Sequence, residues 1–158
     1  MSAFAATPFI LAQSRLLCAS YQQLTGKALM NAAPALQMDD MRLAESLYRA
    51  EVAVLSHDTA ADPVFNYANL QAQALFGYDW DSFVRLASRL SAEPMLRDER
   101  AALLQRVARD GFVDDYAGIR IARDGQRFMI SRATVWNLHD EAGVYRGQAA
   151  CIHDWQPL

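Results

Sequence analysis

Phe65-Asn66-Tyr67-Ala68-Asn69-Leu70, followed by Leu75-Phe76-Gly77-Tyr78, is the stretch on which the fold turns. Val64 to Tyr67 carries β-branched and aromatic side chains after a turn composition, Asp58 to Pro63, and so reads as a strand. Asn69 then opens a helical pattern through Leu70, Ala74 and Leu75. Its side-chain oxygen can accept from a free N–H of the first turn, and Gly77 can end the helix in a left-handed conformation. Asp79 offers a second cap, for a short helix carrying Trp80, Phe83, Val84 and Leu86. Immediately upstream, Val52-Ala53-Val54-Leu55 is a short apolar run close enough to pair with the strand as a hairpin.

Working outward, the first fifty residues are helical in pattern. Thr7-Pro8 makes a helix start, with a hydroxyl at the cap and proline where the N–H would be unpaired anyway. Ile10, Leu17, Tyr21 and Leu24 recur at helical spacing up to Gly26, and Asn31 to Pro34 reads as a loop. A second helix is expected from Asp39 or Asp40, with Met41, Ala44, Leu47 and Tyr48 on one face. Downstream, Ala101 to Arg109 repeats Leu103, Leu104 and Val107 at helical spacing before Gly111. The last third reads as three long antiparallel strands, Phe112–Ala122, Arg127–Leu138 and Tyr145–His153. Asp124-Gly125 forms the first hairpin turn, because both positions tolerate positive φ. In the middle strand the even positions give Phe128, Ile130, Trp136 and Leu138, and the odd ones Met129, Ala133 and Val135. Both faces are apolar, so both are expected to be covered.

At 158 residues the chain has the length of one ordinary domain, and 53% hydrophobic residues suffice for a core. With that apolar share, charged residues at 21% and a net charge of −3 argue against a disordered chain and against a dedicated DNA binder. Gln13, Ser14 and Arg15 interrupt the apolar N-terminal run, so neither a secretory leader nor a membrane span is expected. Two cysteines far apart, Cys18 and Cys151, point to a reducing, cytoplasmic setting.

The element order resembles a PAS-type domain, and more closely the MEKHLA domain, a PAS-related family. That likeness is carried by Ser56-His57, Asp62 to Tyr67, Ser88 to Pro94, Arg97 to Arg100, Gly118 to Ile121, Gly125 to Phe128, Val135 to Leu138 and Gly147 to Ala150. The resemblance runs from Tyr21 to Trp155. It implies an α+β fold, a PAS-like five-stranded antiparallel sheet with short helices on one face and the N-terminal helical pair on the other. Residues 1–50 would form the helical segment, packed on the sheet or on a dimer partner, and 51–158 the PAS-like unit. The family occurs as free-standing bacterial proteins and in plant homeodomain–leucine zipper factors, so a sensory or regulatory role is implied, without a defined ligand.

Residue by residue, little catalytic chemistry emerges. Each histidine precedes an aspartate, at His57, His139 and His153, but the strand order keeps the three apart, so no metal site is expected. Haem on His57 is disfavoured because His57 ends a strand. A flavin–cysteine adduct is disfavoured because the helices from Asn69 to Leu86 contain no cysteine. Asp114-Asp115 point to opposite faces of their strand and cannot act as an acid–base pair. No nucleophile motif or phosphate-binding glycine loop is present. Arg120, Arg132 and Gln148 are the polar residues inside apolar strands. An arginine facing a cavity needs a partner: a carboxylate ligand, or Glu93, Asp98 or Glu99.

Phe76, Trp80, Phe83, Arg97, Arg120, Phe128, Trp136 and Gln148 are therefore the candidate lining of a ligand cavity, with Asn69 and Gly77 structural. The expected function is a free-standing sensory domain that binds a small organic molecule or a regulatory protein and signals through packing or homodimerisation. Direct nucleic-acid or membrane partners are not expected. A ligand-free dimerisation module, or a small enzyme using Arg120 and His139, are the alternatives.

Overall fold

The computed structural model describes residues 4, 6–30, 35–93 and 97–158, without the side chains of Ala35, Arg97 and Arg100. The expected loop Asn31–Pro34 lies outside the described residues. Helix α1 spans Pro8–Thr25, capped by the Thr7 hydroxyl and ended by Gly26 at φ 73°. Helix α2 spans Asp40–Tyr48, with Asp39 accepting from the Arg42 N–H. Strands β1 (Ala53–His57) and β2 (Phe65–Ala68) follow, then α3 (Leu70–Phe76), α4 (Trp80–Phe83) and α5 (Arg97–Asp110). The chain closes with β3 (Phe112–Ile121), β4 (Arg127–His139), β5 (Tyr145–Ile152) and β6 (Asp154–Pro157). Among the described residues no helix is long and apolar enough to cross a membrane.

All pairings are antiparallel, in the order β2-β1-β5-β4-β3, and β6 pairs with the first half of β4. The inner face of the sheet meets α3, α4 and α5, and the outer face meets α1 and α2. The register builds each face row by row. On the inner face Ala53 lies opposite Ile152 and Tyr116 opposite Ala133, and Leu55, Ala150, Val135 and Val113 form a continuous row. Ser56, Ala149, Trp136 and Phe112 form a row on the outer face.

The structure corrects the sequence reading in four places. Phe128 and Ile130 share the inner face with Ala133 and Val135, whereas Trp136 and Leu138 lie outside. The alternation breaks at Arg132, which sits at φ 55° inside β4, and a left-handed residue in a strand reverses which parity faces the core. Opposite it, His153 interrupts the last strand, which resumes as a sixth strand, so Trp155 packs inward. Helix α5 begins at Arg97, four residues earlier than the apolar spacing suggests, because its first turn is polar and exposed where described. Met41 is exposed; Leu43 joins Ala44, Leu47 and Tyr48 on the buried side of α2.

Two residues tie the short helices to the sheet. Asn69 is fully buried, and its Oδ1 accepts from the N–H groups of Val54 (3.0 Å) and Ala72 (3.1 Å). Its Nδ2 donates to the carbonyls of Leu47 (3.1 Å) and Val52 (2.8 Å), so one side chain satisfies backbone groups of α2, the approach to β1, and α3. Gly77 ends α3 at φ 79°, its N–H donating to the Gln73 carbonyl, while Arg123 N–H donates to Phe76 O from the β3–β4 hairpin. At Gly147, φ is 121°, and a Cβ there would lie 2.0 Å from the His57 carbonyl, so β5 can approach β1 only without a side chain.

Candidate functional site

The inner face is where the short helices close over the sheet. Its floor is made of small side chains, Ala53, Ala133 and Ala150, and above them stand Phe65, Phe76, Phe83 and Phe128. The rings meet edge to face: Phe65–Phe83 at 5.0 Å, Phe76–Phe83 at 5.6 Å and Phe76–Phe128 at 5.2 Å between centroids. Such pairs contribute about 0.5–1.5 kcal/mol each beyond the area they bury. Of the expected lining, Phe76, Phe83 and Phe128 thus come together, as packing partners.

The other candidates go elsewhere. Trp136 is buried on the outer face, and Trp80 packs there too, edge-on to Tyr67 at 5.5 Å. Their separation follows from the reversal at Arg132 and from the position of Trp80 at the start of α4, beside Tyr48 of α2. Gln148 lies at one end of the inner face, in register between His57 and Asn137, and its Nε2 donates to Asn137 Oδ1 at 3.2 Å. Arg120 finds an aromatic partner. Its guanidinium sits 5.4 Å from the Tyr116 ring centroid, and Nη2 donates to the phenol oxygen at 3.3 Å. Glu93 pairs with Arg127 and Arg89 with Asp62. The side chain of Arg97 lies outside the described residues. Arg132 is exposed and paired with Asp154, not turned into a core.

The outer face carries functional-looking polarity that the sequence reading passed over. Gln13 Nε2 donates to Ser56 Oγ (3.0 Å), which donates to Asn66 Oδ1 (2.6 Å). Trp136 Nε1 donates to Ser20 Oγ at 2.9 Å. Gln13, Ser14 and Ser20 alternate with Ile10, Leu17 and Tyr21 on the buried stripe of α1, so the residues that interrupt the apolar run are part of the packing face. Helical spacing alone could have found them. Among the described residues the Tyr67 hydroxyl is buried here without a hydrogen-bond partner, while the neighbouring Ser14 hydroxyl donates to the Ile10 carbonyl. Burial raises the Tyr67 phenol well above its ordinary value. Burial likewise pushes the Cys18 thiol up to about 12 and raises that of Cys151; both cysteines are free. A thiol kept protonated in this way is a small hydrophobe rather than a nucleophile.

Among the described residues no three His, Cys, Asp or Glu side chains are grouped to hold a metal ion. His57 lies beside β5, His139 packs tilted against Tyr145 (5.6 Å between ring centroids), and His153 marks the break between β5 and β6.

Comparison with known proteins places this geometry. A PAS domain from Colwellia psychrerythraea superposes with a TM-score of 0.61 at 14% identity, covering 72% of this chain and 94% of that one. The light-state dimer of the fungal blue-light photoreceptor Vivid gives 0.60 at 14% identity, covering 98% and 99%. An RNA-binding light-oxygen-voltage receptor gives 0.62 at 23% identity, covering 81% of this chain but 36% of that one. At these identities the shared property is the fold, that of PAS and LOV sensory domains. Curated proteins provide no match. The MEKHLA domain model matches residues 11–157, nearly the whole chain and most of α1, and the chain therefore belongs to the MEKHLA domain family.

Proposed function

We propose that this chain is a non-catalytic sensory or regulatory module in which residues 51–158 sense and residues 1–50 report. A small molecule or a partner protein shifts the packing of the sheet, and α1 changes its docking and thereby dimerisation or partner binding. The observation that carries this reading is the α1–sheet interface. Hydrogen bonds from Gln13 to Ser56 and from Trp136 to Ser20 hold it, and their groups can pair with water when α1 moves, while the Tyr67 hydroxyl has no partner among the described residues. Both faces share β1, β5 and β4, so a displacement of the inner packing is felt by the outer side chains of the same strands. The Vivid structure described as a light-state dimer aligns over 98% of this chain, a span that includes the N-terminal helices. That correspondence supports homodimerisation. Free Cys18 and Cys151 fit a cytoplasmic setting.

Hydrogen exchange with size-exclusion chromatography tests the proposal. Trp136→Phe keeps the aromatic body and removes the donor to Ser20, so α1 amides are expected to exchange about three- to tenfold faster, the equivalent of one net hydrogen bond. The dimer fraction should change with them. Unchanged α1 exchange and an unchanged oligomeric state would remove α1 as the reporting element. A second reading, a dimerisation module that takes no ligand, is favoured by the four phenylalanines filling the inner face.

A further inference from the structure

A groove of about 520 Å³ opens at the outer side, between the end of the α1–α2 segment and the start of β1. Its apolar wall is Leu29, Met30 and Val52, of which Leu29 and Met30 belong to the buried outer core. Its polar wall is Ser46, Arg49, Glu51 and His153. Arg49 caps the C-terminus of α2, where the helix dipole favours a cation. Seven other arginines are in ion pairs, but Arg49 has no carboxylate within salt-bridge distance among the described residues. One ring nitrogen of His153, Nε2, lies 3.6 Å from Cys151 Sγ, which links the groove to the central strand β5. The volume falls within the range of small-molecule sites.

We infer that this groove binds a small amphiphilic carboxylate, its apolar body on Leu29, Met30 and Val52 and its charged head at Arg49. The inference rests on the sensory reading in assigning a ligand, and it places that ligand under the N-terminal helices instead of among the inner phenylalanines. Glu51 lines the same groove and opposes an anion, which supplies an internal control. A bound molecule would brace the α1–α2 segment against β1 and β5, stabilising the docked arrangement by mass action.

The test is an NMR titration of the full chain with octanoate, and in parallel with the neutral octanol. Saturable binding of octanoate near or below about 1 mM is expected, with shifts centred on Leu29, Met30, Val52 and His153. Arg49→Gln should weaken it about tenfold and Glu51→Gln should tighten it, both being exposed positions where folding is not at stake. Equal binding of octanol, shifts centred on Ala133 and Ala150, or no saturation would each overturn the site. None of those results alters the exchange of α1 in Trp136→Phe, so failure here is separable from failure of the sensory reading.

Discussion

On its inner face the sheet meets phenylalanine rings standing over alanines; on its outer face it meets α1 through leucines interleaved with Gln13, Ser14 and Ser20. The first arrangement is apolar and interlocked, and its stabilisation grows with area and shape. The second adds a few polar pairs to its apolar core, and one hydroxyl there has no partner among the described residues. A layer of the first kind resists displacement, and one of the second kind can part from its sheet with less loss, because water can satisfy the groups it exposes. That contrast is why the reporting role is assigned to α1 rather than to α3 or α4.

The contrast is broken most severely at Phe83, fully buried with Phe65, Phe76 and Tyr78 around it. Phe83→Ala is expected to lose about 3–5 kcal/mol in chemical denaturation. A loss below about 1 kcal/mol would mean that the inner layer collapses readily and is not the rigid side. The outer face should instead show itself in alkali. The Cys18 thiol is held up to about 12 against an ordinary 9.0, so above pH 9.0 the unfolded chain releases a proton that the folded chain keeps. Stability is therefore fully present below pH 9.0 and falls as pH rises toward 12, by up to about 1.4 kcal/mol per pH unit. Denaturation midpoints of the wild type and of Cys18→Ala, followed from pH 8 upward, should diverge in slope if this is right.

Two smaller changes sharpen the picture. Tyr67→Phe deletes the hydroxyl that has no partner, so stability should stay level or rise by about 0.5–1 kcal/mol. A clear loss in thermal melting would reveal a bond that the hydroxyl makes in solution. Arg132→Gly relieves a left-handed residue at the point where β4 exchanges its faces, and the exposed pair with Asp154 contributes little against that. A gain of about 0.5–1 kcal/mol is expected in urea titration; a loss would assign the Asp154 contact a larger part in holding the bend.

Local chemistry was legible residue by residue. Thr7, Asp39, Asn69 and Asp79 cap helices where a short polar side chain precedes a helical pattern, and Gly26 and Gly77 end them. The motif from Phe65 to Tyr78 resembles the PAS pattern, and its helix cap and stop were legible because that chemistry acts within four residues. The candidate cavity fared differently. Phe76, Phe83 and Phe128 meet, yet Trp80 and Trp136 lie on the other side of the sheet, and Gln148 belongs to a polar row with His57 and Asn137 that only the register reveals. Alternation within β4 failed at Arg132, since its composition carries no sign that an arginine will adopt φ 55°. That reversal depends on the pairing of three strands at once. The polar stripe of α1 was present in the spacing of Gln13, Ser14, Leu17, Ser20 and Tyr21, but its meaning required Ser56 and Trp136 to arrive opposite it. By itself the sequence determined most helix caps and the run of helices and strands, because those choices are made by neighbours along the chain, and its motifs carried the likeness to the family; the start of α5 and the break at His153 were not legible in it. Only the tertiary structure decided which side chains share a face, because that depends on register and strand bends set by contacts remote in sequence.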